Sequence, residues 1–224
     1  MPKPESILCP SPAGLYCPPG DFHIDPTRPV ARAVITHGHS DHARAGHGAV
    51  MATDDTLAIM ALRYGAEFTR SQQIAILGEE VQVGDIRVSF HPAGHVLGSA
   101  QIALERGGFR LIVSGDYKRA PDPTCLPFEA IRCHAFITEA TFGLPVFRHP
   151  DAFGETEKLL ASQRLFPDRT HIVGVYALGK AQRMMALLRR AGYERPIYIH
   201  GALERLTGYY RGVGIDLGDI RRVV

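Results

Sequence analysis

The sequence is poor in several features that mark particular classes of protein. Its 224 residues contain no tryptophan, and its four cysteines include no C-x-x-C pair of the kind used by zinc ribbons and thioredoxin-like sites. No apolar run reaches the ~18 residues of a membrane span, and the first residues do not resemble a signal or transit peptide. We therefore expect a cytoplasmic protein with reduced thiols and no membrane contact. The cysteines are Cys9, Cys17, Cys125 and Cys133.

An excess of charge of one sign is also lacking. The 25 basic and 23 acidic residues leave a net charge of +2, so the whole chain shows no strong basic footprint for nucleic acid. Lysine is rare, with 4 residues against 21 arginines. This bias suits bidentate contacts with phosphate, and it equally fits a general compositional preference. With 45% hydrophobic residues, the composition is that of a globular protein with a core.

What the sequence does contain is a dense group of metal-ligand residues. Residues 36–42 read T-H-G-H-S-D-H and directly follow the apolar run of residues 33–35. Zinc binds imidazole nitrogen and carboxylate oxygen, and a catalytic zinc keeps one position open for water. His37 and His39 would point the same way if the strand continued, while Asp41 and His42 follow at a turn and can face a second metal. The alternative is a surface loop that is merely rich in histidine.

This segment resembles the H-x-H-x-D-H signature of the metallo-β-lactamase fold. Three later segments are similar to further motifs of that family: H-P-A-G-H-V-L-G around His95, V-S-G-D-Y around Asp116, and I-T-E-A-T-F-G around Glu139. The Glu139 segment resembles an acidic motif of the β-CASP branch, whose members cut nucleic acids. The resemblance extends over nearly the whole chain and is strongest to the bacterial exonucleases associated with DNA ligases.

The resemblance implies a site with two zinc ions. Three histidines would hold one zinc ion, an aspartate and a fourth histidine would hold the other, and a second aspartate would bridge both ions with its two oxygens. The implied metal ligands are His37, His39 and His95, then Asp41 and His42, and finally the bridging Asp116.

Catalytic roles are implied for Asp41, Glu139 and Asp25. Asp25 lies where the family carries an aspartate that orients a ligand imidazole, and the alternative is a turn aspartate before proline. Glu139 would lie near the scissile group, and its alternative is a helix-capping or turn carboxylate. For Asp116 the alternative is an Asx-turn.

Three basic residues are candidates for binding substrate phosphate. Lys118 follows Asp116 closely and could meet a phosphate as a point charge, or it could be a solvated surface lysine. Lys180 and Arg183 lie where a predicted helix begins, in a string similar to one in the β-CASP part of RNA-processing endonucleases. A helix N-terminus favours anions, and a plain surface helix face is the alternative.

Periodicity predicts the secondary structure along the first part of the chain. Residues 53–64 show helical spacing of apolar residues, and residues 101–104 and 109–113 predict a hairpin around Gly107 and Gly108. Residues 1–20 are rich in proline and predict an irregular arm. Residues 41–48 predict the start of a helix, with His47 exposed to solvent.

The later part of the chain changes character after residue 145. Residues 153–165 and 177–188 predict helices, and residues 171–176 and 197–200 predict strands, so that strand, helix and strand suggest a βαβ unit with a parallel sheet. We therefore expect an α/β fold, more narrowly an α+β sandwich. The resemblance implies an αββα metallo-β-lactamase domain over residues 1–145 and a partial β-CASP-like domain over residues 146–224. It also implies further histidines beyond residue 224, so we expect the chain to be a fragment.

These observations favour a zinc-dependent phosphodiesterase whose partner is nucleic acid. The resemblance implies a DNA exonuclease that acts in DNA repair beside a DNA ligase. The alternatives are an RNA-processing nuclease of the same branch, a hydrolase of small thioesters or lactams on the same metal core, and an inactive fragment that binds DNA without cutting it.

Overall fold

The computed structural model describes residues 3–223 and divides the chain into two compact units between Glu139 and Ala140. The first unit contains two β-sheets and one α-helix, and the second contains three α-helices and a small sheet. The assignment of these units to a metallo-β-lactamase and a β-CASP-like domain stays a prediction. Within residues 3–223, no helix combines the length and apolar character that crossing a membrane requires.

The first sheet of the first unit has six strands that lie side by side in chain order. β1, β2 and β3 pair antiparallel, and the pairs from β3 to β6 are all parallel. The helix α1 (Asp54–Tyr64) connects β5 to β6. The strands are β1 (Cys9–Ser11), β2 (Gly14–Cys17), β3 (Phe22–Ile24), β4 (Arg32–Val34), β5 (His47–Ala52) and β6 (Thr69–Ile74).

The second sheet of the first unit has five strands in the order β11-β10-β9-β8-β7. Its pairs are antiparallel except for β10 with β11, which is parallel. The strands are β7 (Glu80–Val83), β8 (Ile86–Pro92), β9 (Ala100–Arg106), β10 (Phe109–Val113) and β11 (Ala135–Ile137).

The two sheets pack face to face over one apolar core. Buried Val34 and Met51 from the first sheet share this core with Val88, Ile102 and Leu111 from the second. Burial of such side chains contributes roughly 25 cal/mol per Å² of apolar surface removed from water. Because both sheets contribute to this core, their packing fixes how the loops at the sheet edges face each other.

A smaller cluster covers the opposite face of the first sheet, where Leu57 and Met60 of α1 pack against Ile35 and Val50. The first unit is thus layered as helix, sheet and sheet, and α1 is the only α-helix among its described residues. This agrees with the expected mixture of helices and packed sheets. The four-layer αββα arrangement stays a prediction.

Several local predictions are confirmed. The helix expected over residues 53–64 is α1, whose N-cap Thr53 accepts a hydrogen bond from the Thr56 N–H. The hairpin expected around Gly107 and Gly108 is formed by β9 and β10. Both glycines have positive φ angles, +55° and +76°, which side chains disfavour.

Two predictions for the early chain are wrong. The expected irregular arm contains a hairpin, because Cys9–Ser11 pairs with Gly14–Cys17 and joins the sheet edge. Residues 41–48 do not begin a helix: a turn over residues 40–42 is followed by β5 from His47. His47 is buried rather than exposed, and its Nδ1 lies 3.3 Å from the N–H of Val30, from which it accepts a hydrogen bond.

The second unit contains α2 (Ala152–Leu165), α3 (Lys180–Arg190) and α4 (Glu204–Gly212). Its two strands, β12 (Ile197–Ile199) and β13 (Ile220–Arg222), pair in parallel, with α4 between them in the chain. The expected strand over residues 171–176 is wrong, since the structure has no strand in that segment and Ile172 is 91% exposed. The parallel crossover exists, but it lies one strand later than expected.

Candidate metal centre

Two neighbouring strands of the first sheet deliver the first half of the site. β3 and β4 run parallel, so the loops after them begin at the same edge of the sheet. Asp25 follows β3 directly, and residues 36–42 follow β4. The N–H of Ala100 donates a hydrogen bond of 2.8 Å to the carbonyl oxygen of Thr36, which ties this loop to the second sheet.

The second sheet delivers the other half. β8 and β10 both run antiparallel to β9, so their carboxyl ends lie at the same edge of the sheet. His95 lies in the loop after β8, and Asp116 lies in the loop after β10. The hydroxyl of Ser99 accepts hydrogen bonds from the N–H groups of His95 and Val96, each 3.1 Å long, and so holds the His95 loop.

Four side chains meet where these loops converge. His37, His39, His95 and Asp116 each offer one ligand atom, and these four atoms lie within 4.8 Å of one another. The His39 Nδ1 atom lies 3.0 Å from His37 Nε2 and 3.2 Å from His95 Nε2. The Asp116 Oδ2 atom lies 3.6 Å from His95 Nε2 and 3.9 Å from His37 Nε2.

These spacings fit a metal ion. A tetrahedral zinc centre with bonds of about 2.0–2.2 Å places its ligand atoms roughly 3.3–3.6 Å apart. The four distances between the side-chain atoms, from 3.0 to 3.9 Å, bracket that separation. Three imidazoles with one carboxylate are also a donor set that zinc and related divalent metals accept. The residues present can therefore hold a divalent metal.

The second oxygen of Asp116 faces a different group. Its Oδ1 atom lies 3.4 Å from His42 Nε2, and the Oδ2 atom of Asp41 lies 3.7 Å from the same nitrogen. Asp116 therefore presents one oxygen to the three-histidine cluster and the other to His42. A carboxylate in this position is able to bridge two metal ions. Asp41 is the most exposed of these groups, with 74% of its side chain open to solvent.

Asp25 anchors the motif loop through three hydrogen bonds. Its Oδ1 accepts from the Thr36 N–H at 2.8 Å, and its Oδ2 accepts from the Thr36 hydroxyl at 2.6 Å. The Oδ2 also lies 2.7 Å from His42 Nδ1, which leaves Nε2 of His42 directed at Asp116. Asp25 holds a positive φ of +44°, which is uncommon for a residue other than glycine. The carboxylate fixes the orientation of the His42 ring.

Burial controls the protonation of the histidines. It lowers the pKa of His37 well below its ordinary value, and the neighbouring imidazoles of His42 and His95 lower it further. Burial likewise lowers the pKa of His95 to about 4. Both rings are therefore neutral at physiological pH, which leaves a nitrogen lone pair available to a metal.

His42 has the opposite tendency. Burial lowers its pKa, but hydrogen bonds to Asp116 and Asp25 outweigh burial and raise the pKa to about 10. The same hydrogen bond from His42 lowers the pKa of Asp116. In the metal-free protein His42 thus carries a proton, which must leave if Nε2 binds a metal, because only the neutral ring is a ligand.

Close backbone approach at Gly115 brings the Asp116 loop against the motif loop. A Cβ atom at this position would lie 2.6 Å from Thr36 Oγ1, and the φ angle is +54°. Only glycine meets both requirements without strain. The S-G-D string therefore contains a glycine because of packing as well as because of backbone geometry.

Glu139 and Lys118 lie in the first unit. The N–H of Glu139 donates a 3.3 Å hydrogen bond to the hydroxyl of Ser114, two residues before Asp116. Lys118 forms an ion pair with the buried carboxylate of Asp122. This ion pair engages the lysine charge that is predicted to contact a phosphate. The catalytic role of Glu139 and the substrate-binding role of Lys118 stay predictions.

Lys180 and Arg183 lie at the start of α3 in the second unit. Lys180 is exposed, and its Nζ lies 5.1 Å from the centre of the Tyr176 ring in a cation–π contact. Arg183 is half-buried. Gln182, between them, is buried and accepts a hydrogen bond of 2.8 Å from the Gly179 N–H, which caps the helix. Their contact with substrate remains a prediction.

The hydroxyl groups that support the site were missed from the sequence. Thr36 links Asp25 to the His37 ring, with its Oγ1 3.1 Å from His37 Nδ1. Ser99 and Ser114 hold the His95 and Glu139 backbones. Their position inside or beside the motif segments could have pointed to them. However, no spacing pattern distinguishes a hydroxyl that supports a site from one on the surface.

The chain is similar in sequence to several curated proteins. It is 30% identical over 212 residues to a protein named "Probable DNA ligase" from Opitutus terrae, covering 93% of this chain and 20% of that protein. It is 31% identical over 135 residues to "Endoribonuclease ysh1" from Aspergillus fumigatus, covering 58% and 15% of the two chains. An "RNase J-like protein" from Methanocaldococcus jannaschii is 32% identical over 142 residues, covering 59% and 34%.

These relatives carry names of nucleases and of a DNA ligase. The chain spans between 15% and 34% of the length of the three relatives described. No family model matches the chain. A crystal structure of a protein of unknown function from Enterococcus faecalis superimposes with a TM-score of 0.56 at 12% identity, covering 86% of this chain and 58% of that one. This likeness concerns the fold alone.

Proposed function

We propose that this protein is a metal-dependent phosphodiesterase that cuts nucleic acid, on a metallo-β-lactamase fold of the β-CASP branch. The observation that carries the proposal is the cluster of His37, His39, His95 and Asp116, with the second oxygen of Asp116 turned toward His42. Two-metal sites of this kind suit in-line displacement at phosphorus. The similarity to proteins named as nucleases supports the same reaction class.

The site residues have separate roles in the proposed reaction. Zinc bound by the histidines and by Asp116 would supply a water acidic enough to act as a nucleophile near neutral pH. Asp25 holds the His42 ring in place. Asp41 is exposed and next to His42 Nε2, so it is placed to bind a second metal or to accept a proton from the water. Glu139 is the candidate for contacts with the scissile group.

Binding of a polyanion is supported by how charge is distributed along the chain. Residues 140–224 contain 13 Lys and Arg against 8 Asp and Glu, a net charge of +5, whereas residues 1–139 contain 12 against 15, a net charge of −3. The near-neutral total therefore hides a basic second unit. Lys180 and Arg183 belong to that unit and are the candidate phosphate contacts.

For the substrate we propose DNA, with an exonuclease acting beside a DNA ligase in cytoplasmic DNA repair. The relative named as a probable DNA ligase, which matches 93% of this chain, supports this choice. RNA is the second candidate, because other relatives are named as endoribonucleases and as an RNase J-like protein.

A cleavage assay on the purified protein tests the proposal. End-labelled single-stranded DNA, duplex DNA and RNA of the same sequence are incubated with zinc or manganese, and the products are resolved by length. We expect metal-dependent release of mononucleotides from DNA. An internal cut pattern on RNA would support the second candidate, and turnover of neither polymer would contradict both.

Asp41→Ala provides the specific variant, because this exposed side chain can be removed without disturbing the core. We expect it to abolish cleavage. Asp54→Ala, an exposed aspartate in the first turn of α1, is the matched control and should keep wild-type activity. Equal activity of the two variants would contradict the role of Asp41.

A further inference from the structure

A cluster of aromatic rings lies on the second unit in the segment just after Glu139. The Phe142 ring centre lies 5.3 Å from that of Phe147 and 4.9 Å from that of His149, at interplanar angles of 79° and 87°. Such edge-to-face contacts are favourable for aromatic pairs. We call Phe142, Phe147 and His149 the aromatic cluster. Turns support it, since the Phe147 N–H donates to the Leu144 carbonyl at 3.0 Å.

The cluster is open to solvent although it is apolar. Phe142 is 58% exposed and Phe147 is 45% exposed. Leu144 and Val146, between them in the chain, are more exposed still. Exposed apolar side chains that are grouped together can form a binding site. Phe142 contacts two further rings and still exposes more than half of its surface.

An arginine next to the rings in the sequence and the net charge of the unit indicate the chemistry of the occupant. Arg148 is exposed and lies between Phe147 and His149 in the sequence, and the unit as a whole carries a net charge of +5. A polyanion with flat, apolar faces complements rings flanked by arginine. Single-stranded nucleic acid has this chemistry, because each base presents a π-face and each link carries a phosphate.

The covalent chain keeps the cluster close to the candidate site residue Glu139. Phe142 follows Glu139 by three residues, and three residues of fully extended chain span at most about 11 Å. Phe142 therefore lies within that distance of Glu139 along the backbone.

We propose that the aromatic cluster is a stacking platform for an unpaired base of single-stranded nucleic acid. This inference rests on the proposed function, since it takes nucleic acid to be the substrate. Phe142 supplies the face for stacking, Phe147 and His149 hold its ring, and Arg148 contacts the phosphate backbone. Stacking on a ring tolerates any base, so the platform gives affinity without sequence preference.

Binding without cleavage tests the platform separately from catalysis. Fluorescence anisotropy of a fluorescein-labelled oligothymidylate is measured in EDTA, where no divalent metal supports cleavage. We expect Phe142→Ala to weaken binding roughly 5- to 150-fold, which is the usual effect of losing the stacking of one base. Phe142→Leu should lose as much, because it keeps apolar area without a flat face, and Phe142→Tyr should bind like the wild type.

Leu144→Ala is the matched control, because it removes an exposed apolar side chain of the same segment that has no ring. It should leave the affinity unchanged. An oligonucleotide in which abasic sites replace the bases should bind wild type and Phe142→Ala equally, because nothing remains to stack. Arg148→Gln should reduce the dependence of affinity on salt, which the ring variants should not alter.

The outcomes separate this inference from the proposed function. If wild type and Phe142→Ala bind the oligonucleotide equally, the platform is overturned and the nuclease proposal stands. If the wild type binds and stacks but never cleaves with metal present, the nuclease proposal fails and the platform stands. If Leu144→Ala weakens binding as much as Phe142→Ala, or if both variants dissociate a dimer of the wild type, the surface is a general apolar contact and the platform is overturned.

Discussion

Asp25 connects the backbone of the motif loop to the ring of His42. One carboxylate receives the backbone N–H and the hydroxyl of Thr36 and also holds the Nδ1 side of His42. An amide in its place could not accept all three hydrogen bonds, because its nitrogen is only a donor. The motif loop and the His42 ring would then lose their common anchor.

We therefore expect Asp25→Asn to weaken metal affinity roughly 10- to 100-fold, the usual cost of removing a group that orients a ligand. Competition with a chromophoric chelator measures this. Asp21→Asn is the matched control: Asp21 also has a positive φ, +51°, but pairs with exposed Arg32. Loss of affinity in both variants alike would contradict a specific role of the Asp25 carboxylate in metal binding.

Residue by residue, the sequence was most informative where chemistry narrows the choice. Few side chains can bind zinc, so His37 and His39 were recognisable by type and spacing, whereas His95 was implied by the resemblance of its segment to a family motif. The structure brings these three histidines together with Asp116. Thr36 was not recognisable, because threonine hydroxyls have many uses. The burial of His47 was also beyond prediction, since it depends on parallel pairing of β5 with distant strands.

At the level of elements, an ion-pair ladder crosses the second sheet. Glu105 on β9 lies opposite Arg87 on β8 and Arg110 on β10. The Oε1 of Glu105 is 2.6 Å from Arg87 Nη2, and its Oε2 is 2.8 Å from Arg110 Nη2. The hydrogen bond from Arg110 and the charge of both guanidinium groups lower the pKa of Glu105.

Because its pKa is lowered, the ionised Glu105 stabilises the fold at pH values above the ordinary carboxyl pKa. This contribution is lost as the pH falls through the pKa of the folded state. We expect Glu105→Gln to reduce the free energy of unfolding by about 0.5–1 kcal/mol at pH 7, since solvent screens the pairs, and by less near pH 3. Urea unfolding at both pH values measures this.

Glu80→Gln serves as the control for the ladder. Glu80 is half-exposed, and its carboxylate lies 3.4 Å from Arg87. Its loss should change stability little at either pH. A cost for Glu105→Gln that is equal at pH 7 and pH 3 would show that packing, and not charge, is what the glutamate contributes.

Elements with strong local signals were predictable, and those set by distant pairing were not. Gly107 and Gly108 predicted their hairpin because they permit the turn by themselves. The alternation of residues 171–176 predicted a strand, but no neighbouring strand pairs with it. The hairpin of β1 and β2 was missed for the opposite reason, because a proline-rich segment becomes a strand where the sheet edge accepts it.

At the scale of the whole molecule, charge separates the two units more clearly than the total suggests. The first unit carries the candidate metal ligands and a net charge of −3, and the second carries a net charge of +5. The net charge of +2 for the whole chain is therefore a poor guide to whether one of its units is basic. The boundary predicted after residue 145 gives the same two charges, because residues 140–145 contain no charged side chain, so the division was already readable from the sequence.

The central claim, that His37, His39, His95 and Asp116 hold a metal, is tested most directly by elemental analysis of the purified 224-residue protein. We expect the wild type to retain one or two zinc ions per chain and His95→Ala to lose the metal of the three-histidine cluster. His91→Ala should keep the wild-type content, because His91 pairs with Glu129 away from that cluster. Equal metal content in His95→Ala and the wild type, or none in the wild type after dialysis against zinc, would contradict the claim.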